Sequence, residues 1–358
     1  MSLPLNQVIH GNCLDILPNL PEKSVDLIFA DPPYNLQLQG ELTRPDASVV
    51  DAVTDEWDQF NSFAEYDIFT RAWLRECRRV LKDNGAIWVI GSYHNIFRVG
   101  TALMDLGYWL LNDVIFEKIN PMPNFRGTRF TNATETLIWA KKYENQPYTF
   151  NYQAMKNLNG DKQMRNTWHL HLCKGPERIK IDGRKVHSTQ KPEALLYRVL
   201  LASTHPGNIV LDPFFGTGTT GAVAKKLNRH FIGIEREADY VQVARQRIDA
   251  INPVSDPTIL TVPNRRAKPR IPFGRLLEAG YLSPGDCLYN ATREHAARIR
   301  ADSHLICDAI TGSIHKTAST IMGRNANGWD YWHYINEDSA LQPIDVLRSR
   351  YREEYNIS

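Results

Sequence analysis

Asp31, Pro32, Pro33 and Tyr34 put an acceptor carboxylate and an aromatic face on either side of a rigid turn. Neither proline has a backbone donor, so the turn cannot be absorbed into a sheet ladder. A flat group stacked on Tyr34 and carrying an NH2 could give one hydrogen to Asp31 and the other to the Pro32 carbonyl. That is the recognition chemistry of an exocyclic amine on a nucleobase. A second stretch, residues 209–224, carries Asp212, Pro213 and Phe214, then Gly216, Gly218 and Gly221, with Thr219 and Thr220 between the last two glycines. Glu235 follows about twenty residues after the first glycine, where a dinucleotide-binding turn keeps its ribose-binding carboxylate. A nicotinamide enzyme therefore has to be weighed. Asp212 argues against it, because a carboxylate just ahead of the glycines suits a cationic amino group, which a pyrophosphate does not offer. A sulfonium cofactor carries such an ammonium.

The elements that must position these groups follow from the apolar runs. Residues 27–30 read as a buried parallel strand that stops at Asp31 and delivers it to the carboxyl edge of an α/β sheet, where ligands bind. Residues 8–9 suggest a short strand before Gly11, Asn12 and Cys13, and residues 14–20 a short helix stopped by Pro21. Apolar residues at three- and four-residue steps from Phe63 to Leu81 predict a helix closing at Asn84-Gly85. A strand over 86–90 and a helix over 96–106 come next. Residues 109–116 and 136–140 then suggest two antiparallel strands joined by a long loop. Pro192 suits the first position of a helix that follows Lys191. The strand, glycine turn, helix and strand of 209–235 form a nucleotide-binding βαβ half, and a last helix covers 238–251.

Length and composition bound the rest. The 358 residues allow one large α/β domain and a smaller one, and net charge is only +2. That charge is unevenly spread: −8 over residues 1–116, +8 over 117–191 and +2 thereafter. The basic island has interleaved aromatics, the footprint of a phosphate backbone, and its loop carries Asn124, Phe125, Arg126 and Arg129. Arg and Asn read guanine and adenine edges, and an exposed Phe can wedge between bases. The long irregular stretch 35–61 leaves the Asp31 edge carrying Leu38 and Arg44, as a lid or substrate-touching segment would. His169, His171 and Cys173 lack a fourth metal ligand, so no metal is expected. The five scattered cysteines read as reduced thiols. With neither a signal peptide nor an apolar span in evidence, a cytoplasmic location is expected. Residues 252–272 form a basic, proline-rich linker, and residues 273–358 a small α+β module.

Asp31-Pro32-Pro33-Tyr34 resembles the motif of amino-methyltransferases that modify adenine N6 or cytosine N4. The order of that motif, the basic insertion (about 117–190) and the glycine loop resembles the β class of bacterial DNA enzymes. Residues 31–38, 88–99, 120–130 and 191–199, with 312–316 and 327–329 near the C-terminus, are similar to the cell-cycle-regulated adenine methyltransferase (CcrM) family of alphaproteobacteria. The resemblance implies a Rossmann-like, mostly parallel methyltransferase sheet with helices on both faces over 1–251. It also implies a C-terminal DNA-binding module of the RAMA type over 273–358. Transfer from S-adenosylmethionine to adenine N6 in 5′-GANTC-3′ double-stranded DNA by base flipping, a homodimer, and a role tied to DNA replication and the cell cycle in a nucleoid-associated bacterial protein follow as expectations.

By position, Asp31, Pro32, Pro33 and Tyr34 would hold the flipped adenine. Asn12, Cys13, Asp212, Phe214, Gly216, Gly218, Thr219 and Thr220 would line the cofactor, Glu235 would take its ribose, and Lys191 would lie beside its methionine moiety. Ser313, His315, Lys316, Asn327, Trp329 and Trp332 would join Leu38, Arg44 and the 124–129 loop in binding DNA. The family usually has Asp where this chain has Asn12, which implies weaker charge-assisted contact with the cofactor's adenine. Two alternatives stand beside this reading: cytosine-N4 methylation, and a DNA-binding regulator whose methyl site is vestigial.

Overall fold

A computed structural model describes residues 3–36, 58–124, 127–181, 183–187, 189–252, 254, 260 and 270–355. The chain divides into two compact units, Met1–Pro263 and Asn264–Ser358.

The first unit runs β1 (Gln7–His10), α1 (Cys13–Ile16), β2 (Val25–Ala30), α2 (Phe63–Val80), β3 (Leu81–Gly91), α3 (Ile96–Asp105), β4 (Trp109–Lys118) and β5 (Thr134–Lys141). It continues with α4 (Tyr152–Leu158), β6 (Thr167–Leu170), the small pair β7 (Lys180–Ile181) and β8 (Arg184–Lys185), α5 (Glu193–Ser203), β9 (Ile209–Asp212), α6 (Thr219–Lys226), β10 (His230–Glu235) and α7 (Ala238–Asp249). Eight strands form one sheet in the order β1-β10-β9-β2-β3-β5-β4-β6. The run from β1 to β3 is parallel throughout, and β5 enters antiparallel between β3 and β4. β2 alternates between two cores. Leu27 and Phe29 pack with residues of α5, α6 and α7, while Ile28 and Ala30 pack with α1, α2 and α3. A strand buried on both faces has to be apolar at every position, which is why 27–30 carries no polar alternation.

Three local expectations need correction. α2 ends at Val80 rather than at Asn84-Gly85, and β3 begins at once. Gly85 therefore lies inside a strand, beside the register shift of β2, where an added Cβ would sit 2.7 Å from the Leu81 side chain and 3.0 Å from the Asp26 carbonyl. The glycine serves close backbone approach there instead of capping a helix. Residues 14–20 are not one helix, because Pro18 breaks them into α1 and a 3-10 turn, Leu17–Asn19. Pro192 is the N-cap of α5 rather than its first residue.

The second unit has α8 (Gly274–Glu278), β11 (Cys287–Tyr289), β12 (Ala296–Ile299), β13 (Leu305–Cys307), β14 (Ile310–Gly312), α9 (Ile314–Met322), α10 (Gly328–Tyr331), β15 (His333–Ile335), β16 (Leu341–Pro343) and α11 (Asp345–Glu354). Its six-stranded antiparallel sheet has its own core, in which Leu276, Leu288, Leu305 and Trp332 are fully buried.

Candidate active site

Strand direction builds the site. Because β1, β10, β9 and β2 are parallel neighbours, the residues at or just past their carboxyl ends meet at one edge: Asn12, Glu235, Asp212 and Asp31. β5 runs the opposite way, with Thr136 paired to Gly91 at the end of β3, so its first residues reach the same edge. That places Glu135 there, together with Lys118 from the end of the neighbouring strand β4. A cavity of about 300 Å³ opens at this edge, lined by Asp31 and Tyr34 on one side and by Gly216 and Glu235 on the other.

The turn after β2 is tied down from two directions. Asp58, itself buried, accepts the backbone N–H of Tyr34 (2.5 Å) and Asn35 (2.8 Å) on one oxygen and that of Leu36 (3.0 Å) on the other. The Tyr66 hydroxyl donates to the Pro33 carbonyl at 2.9 Å and receives the Asn95 amide at 3.1 Å. Two prolines and four hydrogen bonds thus hold the turn, and with it Asp31 and Tyr34, in place before any ligand arrives.

Asp31 lies in a dense polar cluster. Its Oδ1 accepts the Tyr34 hydroxyl at 3.0 Å, and its Oδ2 stands 2.8 Å from Lys191 Nζ. Glu135 Oε2 accepts the same Tyr34 hydroxyl at 3.3 Å and lies 3.7 Å from Lys191 Nζ, while its Oε1 pairs with Lys118 at 3.0 Å. Burial pushes the Asp31 carboxyl above the ordinary carboxylate range, and the Lys191 ammonium only partly offsets this. Burial acts the same way on Glu135, but its two ammonium neighbours hold it below that range. Burial disfavours the Lys191 charge too, yet the two carboxylates keep its ammonium above the usual lysine value.

Glu135, Lys118 and Asp58 are functional candidates that reading the sequence missed. The one signal for Glu135 and Lys118 was a charged residue close to the end of a strand, and both strands carry other polar residues that blur it. Lys191, expected beside a methionine moiety, has its ammonium on Asp31 and lines the same cavity.

The other half of the cavity surrounds the glycine turn. Glu235 Oε2 accepts the Gly216 N–H at 2.6 Å, and its Oε1 accepts that of Glu237 at 2.8 Å. Gly216 and Gly218 have φ of +52° and +77°, the left-handed region that a side chain makes costly. Gly218 caps α6, and a Cβ there would sit 2.9 Å from the Ala244 Cβ. It shapes the turn without lining the cavity, whereas Thr219, Thr220 and Phe214 line it. Asp212 is buried and hydrogen-bonds two neutral donors, the Thr220 hydroxyl at 2.6 Å and the Phe214 N–H at 2.9 Å. Burial raises its pKa to about 7. A buried carboxylate held by neutral donors, with a second carboxylate, Glu235, in the same cavity, fits a ligand bearing an ammonium and a ribose. Asn12 caps α1, accepting the Leu14 N–H at 3.0 Å, and lines the cavity beside Cys13, whose thiol burial pushes up to about 12. At that value Cys13 is packing rather than a nucleophile.

The residues expected on DNA divide into three groups. Leu38, Arg44, Phe125 and Arg126 lie outside the described residues. In the basic island Asn124 is half-buried, and exposed Arg129 donates to the Tyr93 hydroxyl at 3.0 Å. In the second unit Ser313 caps α9, accepting the Lys316 N–H, and Asn327 caps α10, accepting the Trp329 N–H. His315 Nδ1 accepts the Gly328 N–H at 3.0 Å, and these side chains together with Lys316 are exposed.

Trp329 and Trp332 require correction. Trp332 is 0% exposed and donates from its indole to the Ile314 carbonyl at 3.1 Å; Trp329 is 5% exposed, with Arg348 over its ring at 4.4 Å. Both sit in the core, where their apolar bulk is covered and cannot stack on a base. Among the described residues no cluster of metal-ligating side chains is present, and His169 pairs with Glu117 at 3.1 Å.

A family model described as DNA methylase matches residues 25–246, and a second, Restriction Enzyme Adenine Methylase Associated (RAMA), matches residues 255–356. The chain belongs to the DNA methylase family. This DNA methylase is 47% identical over 353 residues to the Type II methyltransferase M.HinfI of Haemophilus influenzae, which covers 98% of each chain. It is 44% identical over 246 residues to the Type II methyltransferase M2.DpnII of Streptococcus pneumoniae, covering 68% of this chain and 90% of that relative. The solved M1.HpyAVI–SAM complex superposes with a TM-score of 0.50 at 29% identity, over 68% of this chain and 98% of the other. The cytosine-N4-specific PvuII DNA methyltransferase has a TM-score of 0.54 at 22% identity over 71% and 89%, and shares the fold. The expected methyltransferase α/β fold with a RAMA domain at the C-terminus is thus established, and the chain is a DNA methyltransferase.

Proposed function

We propose that this methyltransferase transfers a methyl group from S-adenosylmethionine to adenine N6 in 5′-GANTC-3′ duplex DNA. In this reading it acts as a homodimer of the CcrM type, in the cytoplasm at the nucleoid, and in step with replication. The observation that carries the reading is the single cavity shared by the Asp31–Tyr34 turn and the Gly216–Glu235 half. When bound, the cofactor supplies a methyl group on a positively charged sulfur that is its own leaving group.

The chain's residues then have separable tasks. Asp212 meets the ammonium of the cofactor, Glu235 its ribose hydroxyls, and Asn12 its adenine amine. N6 is paired inside the duplex, so the target base must rotate out of the helix, and the Tyr34 ring replaces the stacking it loses. N6 is a weak nucleophile because its lone pair is delocalised into the ring. Acceptors at Asp31 and the Pro32 carbonyl favour a pyramidal nitrogen and stabilise the positive charge that develops on it. The turn needs no reorganisation at that moment, being fixed by Asp58 and Tyr66. DNA contacts fall to Arg129, Asn124 and the exposed α9–α10 edge of the RAMA domain, together with Leu38, Arg44, Phe125 and Arg126. The 5′-GANTC-3′ assignment rests on the resemblance of these segments to the CcrM family.

Incubation with tritiated S-adenosylmethionine and duplexes with or without GANTC tests the reading. Label is expected only in the GANTC duplex, and mass analysis of the nucleosides is expected to give N6-methyladenine. N4-methylcytosine would replace adenine by cytosine as the target, and no label at all would favour a vestigial site. Near-normal turnover by Asp31→Ala would remove Asp31 from the chemistry.

A further inference from the structure

Both oxygens of Asp31 are already engaged, Oδ1 by the Tyr34 hydroxyl and Oδ2 by the Lys191 ammonium at 2.8 Å. Each oxygen can accept a second donor, but Lys191 Nζ also lies over the Tyr34 ring, 5.1 Å from its centre, so a base amine reaching Asp31 from that ring competes with the ammonium for Oδ2. Lys191 is the donor with somewhere to go. Its Nζ already lies 3.7 Å from Glu135 Oε2, so a shift of about 1 Å would exchange one charge-assisted hydrogen bond for another. Without that second carboxylate the displaced ammonium would be left unpaired in a buried site.

We propose that Glu135 is a positioning residue that receives the Lys191 ammonium when the target amine docks on Asp31, making the Asp31–Lys191 pair a resting latch that base entry opens. Geometry supports the exchange from both ends. Lys118 holds Glu135 Oε1 at 3.0 Å and leaves Oε2 towards Lys191 and Tyr34. Lys191 Nζ lies 5.1 Å from the centre of the Tyr34 ring, so the same ammonium sits beside the face on which the base stacks. The four charges of Asp31, Glu135, Lys118 and Lys191 cancel before and after the exchange, so the shift leaves the net charge of this cluster unchanged. The charge balance also accords with it, since Glu135 is held ionised by two cations.

The inference rests on the reading that Asp31 accepts the base amine, and one set of variants separates the two. Single-turnover methyl transfer and, without cofactor, fluorescence of 2-aminopurine placed next to the target adenine are measured for Glu135→Gln, Glu135→Asp, Lys191→Met and the Glu135→Gln/Lys191→Met double variant. Glu135→Gln is expected to slow transfer roughly tenfold to a hundredfold and to reduce the 2-aminopurine signal, with duplex affinity changed less than about twofold. Glu135→Asp is expected to restore much of both. In the Lys191→Met background, Glu135→Gln should cost less than about twofold, because the ammonium it serves is gone. That comparison holds even if Glu135→Gln alone fails to fold. Equal costs of Glu135→Gln with and without Lys191, or a single variant as fast as the parent, would overturn the latch. If Asp31→Asn is inactive while Glu135→Gln is normal, only the latch fails; if Asp31→Asn is fully active, the reading beneath it fails.

Discussion

At the scale of single residues, burial governs how the ionisable groups of the cavity behave. Asp212 illustrates this, with no ammonium or guanidinium on its carboxylate among the described residues and a pKa raised to about 7. An acid whose pKa is raised is neutral below that value and charged above it, and only the charged form attracts an ammonium. Cofactor affinity is therefore expected to be highest above pH 7 and to fall as pH drops through 7. Titration calorimetry across that window checks this, and proton release on binding should appear near its middle. Asp212→Asn should flatten the dependence and weaken binding by ~2–5 kcal/mol, the range for losing one partner of a buried charge pair. Asp31 is raised as well, since burial outweighs the Lys191 ammonium that it shares with Glu135.

At the scale of elements, the turn after β2 is rigid for reasons that only partly lie within it. Pro32 and Pro33 restrict the backbone, but the N–H groups of Tyr34, Asn35 and Leu36 all depend on Asp58. Asp58→Ala would leave these donors without their acceptor, at about 1–3 kcal/mol for each one that water cannot reach. A lower melting temperature and a loss of turnover larger than the loss of cofactor affinity are expected, measured by calorimetry and steady-state kinetics. The strand preceding the turn was readable because a strand buried on both faces must be a continuous apolar run. The end of α2 was misread because Asn84-Gly85 has the composition of a helix stop, whereas Gly85 is there to admit the neighbouring backbone of β2.

At the scale of the molecule, two units with separate cores carry the two family matches. Trp332→Ala is expected to destabilise the second unit by ~3–5 kcal/mol, as removal of a buried tryptophan does. Its thermal transition should drop while cofactor binding by the first unit stays intact; an unchanged transition with lost DNA affinity would return Trp332 to a surface role.

The sequence alone determined the chemistry on offer: the proline-bounded carboxylate and tyrosine, the glycine turn with its carboxylates, and the apolar runs that make an α/β sheet. Those signals are local, since turn chemistry and strand burial act over a few residues. Tertiary structure alone decided which groups meet. β9 lies beside β2 although most of the first unit separates them in sequence, and antiparallel β5 brings Glu135 and Lys118 to the edge where the parallel strands end. Strand order and direction are set by packing across the whole sheet, and no short window of residues encodes them. For the same reason Trp329 and Trp332, expected on DNA from the family resemblance, lie in the core of the fold.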